Sequence, residues 1–368
     1  IALFKIAIDA RSVTEIKTGV GNYILNLING LKEVDKENKF IIYTEKTRHF
    51  LKKISVVSKV FRILFYFYDN FIFPFVLLLD RIDIYHCPAF ILPLINFKYK
   101  KVITIADLGF YAYGNDFSKK WHSRHLKFML PMSIKKADKI IAISESTRRQ
   151  IIEIFNVPEG KVKTIYLGVS EKYRILEDKA KIGYLLDKYR IKQPFILFVG
   201  NLDPRKNLLR LISAFHNVKS KINNLQLVII GNRGELFQED ILKEVNKGDI
   251  VLTGYLKEDD VVCLYNAAAV FVFPSLYEGF GLPILEAMAC GCPVVTSDVF
   301  SMPEVAGDAA ILINPESIDE ISSAIIRIIE DDKFRENLIQ KGFKRAKKFN
   351  WKKTASETLA VYDSLNSI

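Results

Sequence analysis

The sequence predicts an α/β protein made of two similar domains, each a parallel sheet covered on both faces by helices. Three observations carry this reading. Short runs of β-branched, leucine and aromatic residues alternate with helical patterns along the chain. The alternation comes in two successive series, separated by a charged stretch without strand pattern, Glu171 to Gln193. The length, 368 residues, exceeds one small domain and suffices for two separate cores.

In the first series Leu3–Ile8, Phe40–Tyr43, Ile82–Tyr85, Val102–Ile105, Ile140–Ile143 and Val162–Tyr166 read as buried strands. Asp9 and Arg11 close the first of them. Gly19-Val20-Gly21 follows as a short glycine loop, and the helix after it carries Ile24, Leu27, Ile28 and Leu31 on one face. Glycine loops at this place in a doubly wound sheet commonly hold phosphate; the plainer alternative is a tight turn. The most apolar stretch, Phe61–Leu79, approaches the length of a membrane span. Arg62, Asp69, Asn70 and Pro74 interrupt it, so a buried or interfacial helix pair is expected instead. His86, alone beside a strand end, is read as structural. Asp107, after the fourth strand, is a candidate site residue or the cap of a turn. Ser144 is placed as a helix N-cap ahead of Arg148 and Arg149.

Residues 172–192 are expected to be the interdomain linker. Residues 1–171 and 193–345 would then form the two domains, and 346–368 a terminal helix. The second series holds Phe195–Val199, Leu225–Ile230, Ile250–Leu252, Val270–Phe273, Val294–Thr296 and Ala310–Ile313. After its first strand, the run from Gly200 through Asn201, Leu202, Asp203 and Pro204 to Asn207 brings Arg205 and Lys206 to the carboxyl end of the sheet, where ligands bind in such folds. The plainer alternative is a basic helix cap at the surface. Asp259 and Asp260 fit the first turn of a helix.

The most informative stretch is 271–298. A buried strand ends at Pro274, Ser275 to Tyr277 make a short loop, and Glu278 precedes Gly279-Phe280-Gly281. Pro283 opens a helix that Gly291 closes, the expected asymmetry of proline at the start and glycine past the end. A helix N-terminus leaves N–H groups unpaired and carries positive partial charge, so Leu282, Pro283 and Ile284 mark a place for phosphate. Glu278 and Glu286 repel phosphate. They suit hydroxyl groups instead, each charge-assisted bond contributing roughly 1.5–3 kcal/mol. Phosphate together with several hydroxyls describes a nucleotide sugar. An ordinary βαβ unit with two solvated glutamates is the plainer alternative.

Composition narrows the partners. With 49% hydrophobic and 26% charged residues the chain has the make-up of a soluble globular protein. A formal net charge of +11 calls for an anionic partner: nucleic acid, a membrane surface or a phosphorylated substrate. No RNA- or DNA-binding signature is present, so no nucleic acid is expected. Cations interleaved with aromatic residues between Lys119 and Arg149, and across Phe97, Lys98, Tyr99, Lys100 and Lys101, suit either a solvated face or an anionic membrane. Four cysteines, Cys87, Cys263, Cys290 and Cys292, fit core thiols of a reducing compartment rather than disulfides. Cys290-x-Cys292 lacks the second pair of a zinc site, and no metal is expected. The sequence enters its first strand without a signal-peptide pattern, so a cytoplasmic location is expected.

The string PSLYEGFGLPILEAMACGCPV, with Glu278 and Glu286 eight residues apart, resembles the E-x7-E signature of family 4 retaining glycosyltransferases, which have the GT-B fold. The resemblance extends over nearly the whole chain. Gly200 to Asn207 resembles the family's G-x-L-x-P-R-K-N segment, though Asn201 stands where many members have arginine. Thr253 to Leu256 resembles its base-binding turn, with Glu258 a candidate acceptor from a guanine edge. Ser301 to Val305 resembles a loop behind the donor site. Thr104 to Leu108 resembles T-I-H-D-L, with Ala106 in place of the usual histidine.

The resemblance implies two Rossmann-like domains facing a central cleft, with a terminal helix crossing back to the first. It also implies transfer of a hexose from a nucleotide sugar to a hydroxyl of a glycan or lipid-linked glycan. The similarity is to bacterial mannosyl- and rhamnosyltransferases of surface-polysaccharide assembly, so GDP-mannose is the favoured donor and UDP- or dTDP-sugars the alternatives. Arg205 and Lys206 would meet the departing diphosphate. Glu278, Gly279, Phe280 and Gly281 would hold the sugar, Glu286 the ribose, and the Leu256 backbone the base. Gly19 and Gly21 would face the donor, and Asp107 would orient the acceptor. No cofactor and no obligate protein partner are expected, and the place of work is the inner face of the cytoplasmic membrane. A nucleotide-sugar epimerase and an inactive membrane-attached scaffold are the rival readings.

Overall fold

The computed structural model describes residues 3–13, 19–44, 67–95, 97–112, 120–233, 239–245 and 248–365. Residues 61–66 of the apolar stretch, Lys119, the side chains of Trp121 and His122, and residues 366–368 therefore lie outside the described residues. The chain divides into two compact units. One comprises residues 1–111, 121–168 and 351–368; residues 169–350 fall in the other.

The first unit is built on six parallel strands: β1 (Lys5–Ala10), β2 (Lys39–Thr44), β3 (Ile84–Cys87), β4 (Lys100–Ile105), β5 (Lys139–Ala142) and β6 (Val162–Thr164). Their order is β2-β1-β3-β4-β5-β6. Ile6, Ile8, Ile84, Val102, Ile103 and Ile140 are all fully buried, as expected of strands covered on both faces.

Helix α1 (Gly19–Val34) buries Tyr23, Ile24, Leu27, Ile28 and Leu31. The expected glycine loop at Gly19 to Gly21 is instead the first turn of this helix. Glycine inside a helix costs roughly 0.5–1 kcal/mol against alanine, and the packing of the isoleucine–leucine face outweighs that. Ser144 caps α5, the helix Glu145–Phe155, by accepting from the Thr147 amide at 3.0 Å. Of the apolar stretch, Tyr68–Ile72 forms a π-helical turn that runs into α2 (Phe73–Leu79), with Pro74 in the tolerated first turn. Phe73 and Leu77 are fully buried, whereas Phe67, Phe75 and Leu79 are 52%, 48% and 81% exposed. Among the described residues no helix is long and apolar enough to cross a membrane.

The terminal helix α14 (Trp351–Asp363) returns to this first unit and lies along α1. Gly30 permits the close approach: a Cβ there would sit 2.8 Å from the Trp351 carbonyl oxygen and 3.0 Å from the Ala355 Cβ. Tyr362 of α14 reaches the sheet, its hydroxyl 2.6 Å from His86 Nδ1, while His86 Nε2 lies 2.8 Å from Thr104 Oγ1. Burial pushes the His86 pKa down to about 3, so the ring is neutral and structural.

The second unit also holds six parallel strands: β7 (Phe195–Val199), β8 (Gln226–Ile230), β9 (Ile250–Gly254), β10 (Val270–Phe273), β11 (Val294–Ser297) and β12 (Ala310–Ile313). The order is β12-β11-β10-β7-β8-β9. Within 172–192, the expected linker, Lys179–Lys188 form helix α6, which packs on α9 (Glu258–Ala267). Leu185 supplies its buried contact amid a charged surface, too sparse a pattern to announce a helix. All four cysteines are buried free thiols. Two Rossmann-like sheets and a returning terminal helix are the parts expected of the GT-B fold.

Candidate functional site

The site of the second unit grows from a reversal in strand order. Chain connections leave β7 towards β8 on one side, and β10 lies on the other. Open α/β sheets leave a crevice outside the carboxyl ends of such neighbouring strands. Here the loop after β7 carries Arg205 and Lys206, and the loop after β10 carries Glu278.

Four contacts stitch these loops together, and a fifth ties them to Pro315. The Leu276 amide donates to the Arg205 carbonyl at 2.8 Å. Asn207, in left-handed conformation at φ 60°, donates its side-chain amide to the carbonyls of Pro274 and Pro315 at 3.0 and 2.6 Å. Lys206 Nζ lies 2.5 Å from Glu278 Oε1, and Arg205 Nη1 lies 3.5 Å from Glu278 Oε2. Asn207 was not singled out in the sequence. Its signal was there, since asparagine tolerates left-handed backbone and its amide can bridge carbonyls.

Lys206 and Glu278 are both buried, at 6% and 8% exposure, so their charges interact in a poorly screened setting. Burial pushes the Glu278 carboxyl up, but Lys206 and Arg205 outweigh it and hold it below the usual carboxylate range. Burial lowers the Lys206 ammonium and Glu278 opposes that, leaving it below its ordinary value. The ammonium also lies 4.5 Å from the centroid of the Phe273 ring. Arg205, with a side chain 26% exposed, presents the accessible cation of the pair.

Beyond Glu278, Gly281 at φ 100° leads into helix α10 (Leu282–Ala289). The Ser301 hydroxyl lies 2.9 Å from the carbonyls of both Glu278 and Phe280, bracing the loop from behind. Phe280 is buried against Phe349. The expected amide cradle at Leu282–Ile284 is narrower than the sequence suggested. Pro283 has no N–H, and the Ile284 N–H donates to the Gly281 carbonyl at 3.0 Å. Leu282 supplies the remaining amide of the three.

Glu286 sits one turn into α10. The Tyr265 hydroxyl lies 3.4 Å from its Oε2. Burial raises its pKa to about 7; Tyr173 and Tyr265 act against that, and Glu258 adds to it. Glu258 thus stands close enough to be felt at Glu286, and it is also paired with Lys172 at 3.0 Å. The base-turn candidate Leu256 is buried after β9, beside Tyr255 at 55% exposure. The loops after β7 and β8 meet at Gly231, where a Cβ would lie 1.8 Å from the Gly200 carbonyl oxygen. Asn201 is exposed in that loop. The groove lined by Lys179, Asn266, Gln340 and Phe343, about 620 Å³, contains none of these site residues.

In the first unit, Gly19 is exposed at the tip of α1, with nothing among the described residues within 4 Å of where a Cβ would stand, and Gly21 is buried. One Asp107 oxygen accepts from the Gly109 amide at 3.0 Å, capping the short helix Gly109–Ala112. Among the described residues no group of three or more His, Cys, Asp or Glu side chains is placed to hold a metal.

Comparison with known proteins gives two family matches. Residues 187–345 match the model of glycosyl transferases group 1, and residues 17–173 that of glycosyltransferase family 4. The chain is 36% identical over 289 residues to the O-antigen chain mannosyltransferase B of Escherichia coli, covering 77% of this chain and 74% of that protein. It is 31% identical over 302 residues to an uncharacterized glycosyltransferase of Methanocaldococcus jannaschii, covering 77% and 75%. The sucrose-phosphate synthase structure from Thermosynechococcus elongatus superposes with a TM-score of 0.75 at 20% identity, over 99% of each chain, a likeness of fold.

Proposed function

The chain belongs to the family 4 glycosyltransferases, and from that premise we propose that it moves mannose from GDP-mannose to a hydroxyl of a glycan or lipid-linked glycan, retaining the anomeric configuration. That it is a glycosyltransferase acting from a nucleotide sugar on an acceptor is the premise; the sugar, the stereochemistry and the residue roles are the proposal.

The observation that carries the proposal is the Glu278 carboxylate held by Lys206 at 2.5 Å and Arg205 at 3.5 Å, just ahead of helix α10. In the bound state a diphosphate takes its place beside the same two cations and the Leu282 amide. Developing charge on the leaving oxygen is met by groups already in position, where one such donor contributes about 2.7–4 kcal/mol. Glu278 accepts from sugar hydroxyls and Glu286 from the ribose. The acceptor oxygen bonds to the anomeric carbon on the face that the phosphate leaves, and its proton passes to the departing phosphate oxygen. No enzymic nucleophile and no metal enter this scheme. The mannosyl assignment draws on the named activity of the Escherichia coli relative.

The proposed place of work is the inner face of the cytoplasmic membrane, in assembly of a surface polysaccharide. Exposed Phe67, Phe75 and Leu79 support it. The Phe75 ring meets Phe97 at 5.0 Å, beside exposed Lys98. Thermal unfolding with GDP-mannose, UDP-glucose and dTDP-rhamnose tests the donor. A rise of several degrees with GDP-mannose alone is expected; a rise confined to a UDP- or dTDP-sugar overturns the mannosyl reading.

A further inference from the structure

We propose that Tyr173 is a positioning residue of the donor site: its hydroxyl, with that of Tyr265, holds the Glu286 carboxylate in the orientation that accepts from the ribose. This rests on the donor reading above. No motif singles out Tyr173, which lies in the charged stretch from Glu171 to Gln193, shortly after Gly168, where the chain passes into the second unit. The segment around it is nevertheless fastened to helix α9 on both sides. Lys172 Nζ lies 3.0 Å from Glu258 Oε2 at the start of that helix. Near the helix end, Asn266 Oδ1 accepts from the Leu176 amide at 2.9 Å, and Asn266 Nδ2 donates to the Arg174 carbonyl at 3.0 Å. Tyr173 sits between these anchors, its own amide donating to the Ser170 carbonyl at 3.0 Å.

The fastening carries the Tyr173 side chain to Glu286. Its ring meets the Tyr265 ring edge-on, with centroids 6.1 Å apart, and Tyr265 is itself fully buried, 5.3 Å from the Phe271 ring. The Tyr173 hydroxyl donates to the Glu286 carboxylate, and the Tyr265 hydroxyl lies 3.4 Å from Glu286 Oε2. Burial and the Glu286 charge push both phenols above their ordinary range, so both remain protonated donors. A carboxylate offers about four acceptor positions. Two fixed donors leave the others for a ligand, and Glu286 is only half-buried, so a ligand can reach them. The other groups that face this carboxylate are Glu258, which opposes its ionisation, and the Cys290 thiol; Lys172 offsets Glu258. Of the two phenols, Tyr173 favours the charged carboxylate more strongly. A phenylalanine would pack on Tyr265 as well as Tyr173 does, so the hydroxyl is explained by the carboxylate it meets.

The test compares the full chain with its Tyr173→Phe variant, which keeps the ring and removes the hydroxyl. The Glu286 titration is read first, without ligand, by carbon NMR of labelled glutamate carboxyls, with Glu286→Gln supplying the assignment. The wild-type midpoint is expected at about pH 7. In Tyr173→Phe it should move to higher pH, because a donor to the charged form is lost. An unmoved midpoint overturns the assignment. Calorimetric titration with GDP-mannose at pH 7 should then show binding about fivefold or more weaker in Tyr173→Phe than in wild type. At pH 8.5, where Glu286 is more fully ionised in both proteins, the difference should shrink. Equal affinities at pH 7, or a loss of the same size at both pH values, would overturn the assignment, since a purely structural tyrosine would not act through the Glu286 proton. The same pattern seen with UDP-glucose or dTDP-rhamnose, and not with GDP-mannose, would count against the mannosyl reading and leave the role of Tyr173 standing. Binding of none of the three by wild type would overturn both.

Discussion

Lys206 Nζ and Glu278 Oε1 lie 2.5 Å apart although 72 residues separate them in the chain. Each comes from the loop after a central strand of the second sheet, and each is buried. Removing Lys206 leaves the buried Glu278 carboxylate with Arg205 as its cation, at 3.5 Å, so the loss should approach about 3–5 kcal/mol, the cost of breaking a buried pair. Lys206→Met should therefore lose stability on that scale in urea unfolding. Adding Glu278→Gln to it should recover most of the loss, while transfer activity stays absent. Full activity in the stable double variant would show that the pair is structural alone.

Glu286 gives a pH signature. Its folded pKa of about 7 stands above the ordinary carboxyl value of 4.5. The folded state then binds the proton more tightly than the unfolded state, so stability falls as pH rises from about 4.5 to about 7 and levels off above that. Glu286→Gln lacks this dependence. The melting temperature of Glu286→Gln relative to wild type should rise between pH 5 and pH 8. Parallel melting curves across that range would contradict the assignment.

Asn207 tests the stitching of the loops. Asn207→Gly keeps the left-handed backbone at no steric cost but removes two side-chain bonds to carbonyls. A loss of roughly 1–3 kcal/mol is expected, with kcat/KM falling by more than the melting temperature explains. An unchanged kcat/KM would mean the cation turn is held without it.

Two glycines should respond in opposite ways. Gly231→Ala drives a Cβ to 1.8 Å from the Gly200 carbonyl oxygen, so the loop leading to Arg205 must move, and both melting temperature and donor affinity should drop. Gly19→Ala meets nothing within 4 Å among the described residues in a helical first turn, so its melting temperature should hold or rise. A fall in kcat/KM for Gly19→Ala at unchanged stability would mark that helix tip as a donor contact.

Vesicle sedimentation tests the surface proposal. Phosphatidylglycerol vesicles should retain the protein better than phosphatidylcholine vesicles, and less so as salt rises. Leu79→Asp, at an 81% exposed position, should reduce retention without changing the melting temperature. Equal retention of both proteins would exclude this face.

Much of this was legible because it is local. The strands Phe195–Val199, Val270–Phe273 and Ala310–Ile313 follow from continuous apolar runs, and the helix after Gly281 from proline and glycine placed at its ends. What stayed hidden depends on partners distant in sequence. His86 is held by Tyr362, 276 residues away, and Asn207 by Pro315, 108 away, which no local pattern can pair. The Asp9–Arg11–Asp69 network needed a turn 58 residues downstream to close it. The glycine pair at Gly19 and Gly21 misled for a different reason: residue type favoured a loop, while burial of the helix face after it decided the structure.

The most direct measurement is calorimetric titration of GDP-mannose and of guanosine into wild type and Arg205→Ala. Arg205 is partly exposed, so its loss should spare the fold. GDP-mannose should bind Arg205→Ala about tenfold or more weakly than wild type, in line with a lost charge-assisted contact, while guanosine, which lacks the diphosphate, binds both alike. Equal affinity of GDP-mannose for the two proteins would contradict the account.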